Sequence, residues 1–236
     1  MHRVEDLLDL AHCPCPELFA GIDYPWQALP RIERYLAALP PGRMRGTLLG
    51  SAAIDPNVIV GEGTTIEHGA VLRGPAVIGK NCEIRANCYV RGNVIAGDGC
   101  VLGNASEFKN CILFDQASAP HFAYVGDSVL GYAAHLGAGV ICSNYKSLEP
   151  REVTVKYQDP GRASGPPATQ SIPTGLRKFG AIVGDRADVG CHTVLHPGSV
   201  IGRASILYPN LAWRGVLEGG MIVKLRQEQA VVARMA

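Results

Sequence analysis

Aromatic side chains are scarce in this 236-residue chain, at 6% of residues, and neither charge sign is in excess: 22 Lys and Arg face 21 Asp and Glu. Near-neutrality argues against a protein that holds nucleic acid or an anionic membrane through bulk charge. No run approaches the roughly 18 uninterrupted apolar residues of a membrane span. The opening Met1-His2-Arg3-Val4-Glu5-Asp6 carries acids where a secretion signal needs an apolar stretch. Eight cysteines do not suggest a disulfide framework in a chain that is neither short nor secreted in character, so a reduced, cytoplasmic protein is expected. What is abundant is glycine, with 28 residues beside 16 prolines, within a sequence that is 47% hydrophobic. Many tight corners around a narrow core of small aliphatics fit that composition.

The arrangement of those aliphatics is periodic. From Ile54, every sixth residue is apolar: Ile54, Val60, Ile66, Leu72, Ile78, Ile84, Val90, Ala96, Leu102 and Phe108. Four residues after each comes a small or β-branched side chain: Val58, Thr64, Ala70, Ala76, Cys82, Cys88, Val94, Cys100, Ser106, then Ile112. A period of six fits neither a helix nor a simple strand meander and marks a solenoid. The register slips by one at Leu113, loosens through Val125, Leu130 and Leu136, and returns at Val183, Val189, Leu195, Ile201 and Leu207.

The pattern resembles the hexapeptide-repeat acyltransferases. That resemblance implies an all-β fold, a left-handed parallel β-helix in which three hexapeptides make a triangular coil and residues 18 apart stack. Such columns assign Cys82, Cys88 and Cys100 to packing at interior corners. The expected organisation is a helical N-terminal segment over 1–45 that caps the solenoid, the β-helix over 46–215 with an inserted loop at 143–179, and a helical tail over 216–236. Helices are expected at Val4–Ala11 and at Pro25–Leu39, the latter kinked or split at Pro30, and at Met221–Met235. Cys13-Pro14-Cys15 reads as a turn. Within the insertion, Arg151–Tyr157 reads as a short strand and Gly161–Pro167 as a flexible stretch.

Stacking carries a consequence for charge. Arg73, Arg91 and Lys109 stand 18 apart and form a column of like charges, which repel unless an anion or an acid joins them. An anion site is the preferred reading, with Glu107 the acid at hand.

One segment narrows the resemblance. Gly103-Asn104, Glu107-x-Lys109, His121-x-x-Tyr124-x-Gly126-Asp127, Gly137-Ala138-Gly139 and Asn144-Tyr145 follow the order of the acetyltransferase half of bifunctional glucosamine-1-phosphate acetyltransferase/uridyltransferases and of archaeal sugar-phosphate nucleotidyltransferases. Lys178-Phe179-Gly180-Ala181-Ile182-Val183-Gly184-Asp185 is similar to that family's return into the helix. Residues 1–45 carry no Gly-rich triphosphate-binding motif, so nucleotidyl transfer is not expected.

Carried over residue by residue, the resemblance implies acetyl transfer from acetyl-CoA to an amino-sugar phosphate. His121 would be the general base, since histidine changes charge near neutrality. Arg91 and Lys109 would hold the phosphate, Tyr124 and His135 would contact the sugar, and Ala138, Asn144, Tyr145, Cys191 and Pro209 would surround acetyl-CoA. A homotrimer with sites between subunits is implied, the 143–179 loop reaching toward a neighbour. His135 stands where the family has Asn, Cys191 where it has Ser, and Lys146-Ser147 where it has an acidic-Gly pair. Two other readings stay open. The γ-type carbonic anhydrases share the helix, but their zinc ligands are spaced H-x-x-x-x-H, whereas His121 and His135 lie 14 apart and His192 and His196 fall on different phases, so no metal site is expected. A non-catalytic sugar-nucleotide-binding or assembly module is the other.

Overall fold

The computed structural model describes residues 3–147, 151–158, 169–226, 230 and 232–234. The chain winds into a left-handed β-helix of about nine turns with three flat faces. The first face has nine parallel strands, from Thr47–Leu48 to Ile222–Val223, and the second has eight, from Ala53–Ile54 to Ala212–Trp213. The third also has eight, from Val58–Val60 to Val216–Leu217.

The six-residue period is the core itself. Val60 through Phe108, and then Val183, Val189, Leu195, Ile201 and Leu207, all point inward and are buried; Ile54, in an end coil, is half-buried. Cys82, Cys88 and Cys100 are buried beside them with free thiols. Burial pushes the Cys88 and Cys111 thiols up, and that of Cys142 to about 12. These sulfurs pack as small hydrophobes and stay protonated. Thr64 and Ser106 hide their hydroxyls at corners by donating to the carbonyls of Gly79 and Ala119 in the next coil.

Coils of 18 give way to coils of 17 at the slip: Phe108 pairs with Val90 on one side and with Val125 on the other. Cys111 and Leu113 then point inward, and Ile112, read from the period as a corner residue, points outward. It joins a column on the outside of the third face: Ile59, Val77, Ile95, Ile112, Val129, Ile182, Val200 and Val216, paired in continuous register.

That apolar column decides where the N-terminal segment goes. Instead of capping an end, residues 3–39 lie along the third face and bury Leu7, Leu8, Phe19, Trp26, Leu29 and Ile32 against Ile95, Ile112, Phe114 and Val129. Its helices are shorter than expected: Val4–Leu7 is α-helical, Pro25–Arg31 is 3-10, and Ile32–Ala37 resumes as α-helix. Pro30 enforces that split, because it has no N–H for an α-helical bond. Cys13–Cys15 lies between two 3-10 turns, Leu10–His12 and Pro16–Phe19. Asp185 ties the segment down, accepting from the Asp9 and Tyr132 N–H groups at 2.7 and 2.8 Å.

The insertion likewise turns back on its own chain. Thr154–Gln158 pairs antiparallel with Thr169–Pro173, and Val153 and Val155 join the apolar cluster outside the third face. The expected Gly161–Pro167 stretch lies outside the described residues. The β-helix also continues past 215. Within Met221–Met235 the described residues form no helix; Ile222–Val223 closes the first face, paired with Ile206–Leu207.

Candidate active site

All but one of the candidate site residues fall into two groups on adjoining parts of the solenoid. The first occupies the corner between the first and second faces. His121, Ala138, Cys191 and Pro209 each precede the residue that turns this corner with positive φ: Phe122, Gly139, His192 and Asn210. One backbone ladder joins them. His121 O accepts from Gly139 N at 3.0 Å, Ala138 O from His192 N at 2.8 Å, and Cys191 O from Asn210 N at 2.9 Å. The four therefore form one column along the solenoid axis, one per coil, at about 4.8 Å per step. His121 is exposed, and its ring makes no hydrogen bond among the described residues; its ring neighbour is the exposed Phe122, at 6.3 Å between centroids. Asn104, one coil earlier, donates its side-chain amide to Ala86 O.

The second group lines a cavity of about 700 Å³ beside the second face. Arg91, Lys109, Tyr124, Asn144 and Tyr145 are all in its wall. His121 is not, although only Phe122 and Ala123 separate it from Tyr124. The Tyr124 ring lies flat across Gly126, where an added Cβ would sit 2.5 Å from the phenol oxygen. Glycine at that position lets the hydroxyl reach Asn144, whose amide donates to it at 3.1 Å. Burial pushes the Tyr124 phenol above its ordinary range, opposed by the Asn144 bond and the Arg91 charge and assisted by Asp127 and Glu107.

Asp127 organises this cavity. Its buried carboxylate accepts from Lys109 Nζ at 3.2 Å to both oxygens, from Asn110 Nδ2 at 2.8 Å, and from the Asn144 amide. Arg91 donates to Glu107 at 2.6 Å, and that bond pushes the guanidinium pKa up further. Arg73 pairs with Asp55 at 2.9 Å. The charge column expected at 73, 91 and 109 is thus built, but an acid joins each cation. The anion reading is corrected to that extent: the repulsion is relieved by carboxylates of the chain itself.

His135 joins neither group. It stands on the outside of the first face, paired with Ser118 and Asp188, with Nδ1 at 2.9 Å from the Ser118 hydroxyl. Sequence reasoning missed Asn110, Arg177 and the apolar Leu29 and Pro30 in the cavity wall. Asp127 and Lys178 stood inside the quoted strings without a role. Among the described residues no group of three or more His, Cys, Asp or Glu side chains is placed to hold a metal ion. No helix among them is long and apolar enough to cross a membrane.

Comparison with known proteins gives these features a family. The uncharacterized acetyltransferase YaiX of Escherichia coli O6:K15:H31 is 35% identical over 171 residues, 72% of this chain and 69% of its own. The chain belongs to the hexapeptide-repeat acyltransferases. The family described as the GMPPB C-terminal domain matches residues 72–158. The bifunctional protein GlmU of Methanococcus maripaludis strain S2 is 31% identical over 189 residues, 80% of this chain and 43% of that protein. The chain thus spans less than half of that bifunctional relative. The solved UDP-N-acetylglucosamine acyltransferase from Campylobacter jejuni aligns with 76% of this chain and 70% of its own, at 13% identity and a TM-score of 0.40.

Proposed function

We propose that this acyltransferase moves an acetyl group from acetyl-CoA to the amine of an amino-sugar phosphate, with His121 as general base. The observation that carries this reading is the corner column, in which an exposed imidazole without a hydrogen-bond partner among the described residues heads a line of small residues, Ala138, Cys191 and Pro209. A narrow track of short side chains beside a continuous backbone edge suits a long, flexible thioester arm. Acetyl-CoA supplies the activated acyl carbon. His121 takes the proton from the sugar amine as its nitrogen bonds to that carbon, and gives that proton to the thiolate expelled as the carbon–sulfur bond breaks, which leaves as the thiol. Tyr124, three residues on, bridges from this corner to the cavity that receives the sugar and its phosphate; Arg91 and Lys109 line it, together with Asn144 and Tyr145, which the family resemblance gave to acetyl-CoA.

The second face leaves Tyr89 and Arg91 exposed. A second copy packed against that side, as in a trimer, closes the space between corner and cavity; a monomeric mass in light scattering would remove this element. The function itself is tested by thiol release from acetyl-CoA with a panel of amino-sugar phosphates and sugar nucleotides, run beside His121→Ala. Equal rates for the two proteins would eliminate His121 as the base, and no release with any acceptor would eliminate the reaction.

A further inference from the structure

The four cations of the cavity are not equivalent. Arg91 is engaged by Glu107 at 2.6 Å and Lys109 by Asp127 at 3.2 Å. Arg177 and Lys178, in the wall that the insertion contributes, are exposed and make no ion pair or hydrogen bond among the described residues. Of these four cations, Arg177 and Lys178 are the two without a carboxylate partner among the described residues; the insertion's own Glu152 carboxylate is turned to the Gly175 N–H.

The segment that bears them is pinned on both sides. Val153 N–H donates to Leu176 O at 2.8 Å, the Thr174 hydroxyl donates to Val153 O at 2.6 Å, and Leu176 N–H donates to that hydroxyl oxygen at 3.2 Å. Gly175, at φ +74°, presents its N–H to the Glu152 carboxylate. On the far side Phe179 N–H donates to Asn144 O at 3.0 Å, and the Phe179 ring is buried 5.7 Å from that of Trp26. The backbone at 177 and 178 is therefore fixed, and only the two side chains are free to close on a ligand. A planar guanidinium is the side chain best shaped to hold two oxygens of one phosphate.

We infer that Arg177, with Lys178 beside it, receives the phosphate group of the acceptor, and that the insertion thereby determines specificity for phosphorylated over neutral sugars. This rests on the cavity being the acceptor site. A phosphate monoester, which carries close to two negative charges near pH 7, matches two adjacent cations that have no ion-pair partner among the described residues. Arg91 and Lys109, held by their carboxylates, shape the wall beneath it.

The test is calorimetric binding of inorganic phosphate to the whole chain, with Arg177→Ala and Arg177→Lys compared with the unaltered protein. Arg177→Ala is expected to weaken phosphate by about tenfold or more, the size of a charge-assisted hydrogen-bond loss, with Arg177→Lys recovering part of it. Because Arg177 is exposed, its thermal midpoint should not move. In turnover, Arg177→Ala should raise KM for a phosphorylated acceptor far more than it lowers kcat. Unchanged phosphate affinity in Arg177→Ala, or no phosphate binding by the unaltered protein, overturns the inference. Phosphate binding that depends on Arg177 without acetyl transfer to any amino sugar would sink the proposed reaction and leave this site standing.

Discussion

The second and third faces arise from the same coils, yet their outer surfaces share almost nothing. Outside the third face runs an unbroken apolar column from Ile59 to Val216, covered from Val77 onward by the N-terminal segment and the base of the insertion. Outside the second face, the same coils present Tyr89, Arg91, Glu107, Lys109 and Tyr124, and a cavity instead of a cover. Inward positions are alike on both, because each must fill the same narrow triangle. Outward positions record what lies beyond the coil: a permanent apolar cover on one side, polar chemistry on the other. Stability should therefore concentrate on the third face, and activity on the second face and its corner.

That division can be broken by substitution. The largest effect is expected at His121: replacement by Ala should lower acetyl transfer by roughly two to four orders of magnitude while leaving the denaturation midpoint in place. A matching fall in midpoint would mean that the open side also carries the fold. Phe179→Ala, on the covered side, should cost about 3–5 kcal/mol in chemical denaturation through the cavity left beside Trp26. Because Phe179 also anchors Arg177, phosphate affinity should fall with it. An intermediate case is Asp127→Asn, which leaves Lys109 without its charge partner inside the cavity wall. A loss of about 1–3 kcal/mol is expected by thermal melts, together with weaker acceptor binding; a variant as stable and active as the parent would show that the network is decorative.

The smallest effect concerns pH. Burial, aided by the Arg214 charge, lowers the His196 pKa below its ordinary value. The folded state then binds this proton less readily than the unfolded chain, so the contribution is complete above about pH 6.5 and is lost as pH falls through the folded value. His196→Gln should flatten the fall in thermal midpoint between about pH 7.5 and about pH 5.5. An identical slope in both proteins would show that other groups set the acid side of the stability profile.

The core was legible because an inward side chain recurs wherever the coil returns to the same face, and a one-residue slip at Leu113 changes the coil length without changing that requirement. The residues of the corner column were legible only through the family resemblance; that His121, Ala138, Cys191 and Pro209 each stand one residue before a left-handed turn came from the structure. The last coil was not legible, since Ile222 pairs with Ile206 only 16 residues back, and the shortened coil let Met221–Met235 pass for a helix. The third-face column was present at regular spacing, but its partners Leu7, Trp26 and Phe179 obey no period, so neither the flank position of the N-terminal segment nor the fold-back of the insertion could be read. The acids that neutralise Arg91 and Lys109 were in view as letters; that Glu107 and Asp127 point at those cations follows from side-chain geometry alone.

By itself, then, the sequence determined a solenoid of six-residue period and its core, because repeat spacing and stacking are one constraint seen in one dimension and in three; the three-sided coil and the role of His121 came through the family resemblance. Only the tertiary structure decided which face is covered, which cations are already neutralised, and that Arg177 comes to line the same cavity as Lys109. Those outcomes depend on contacts between segments that share no period, and a period is the one long-range relation that a single sequence displays.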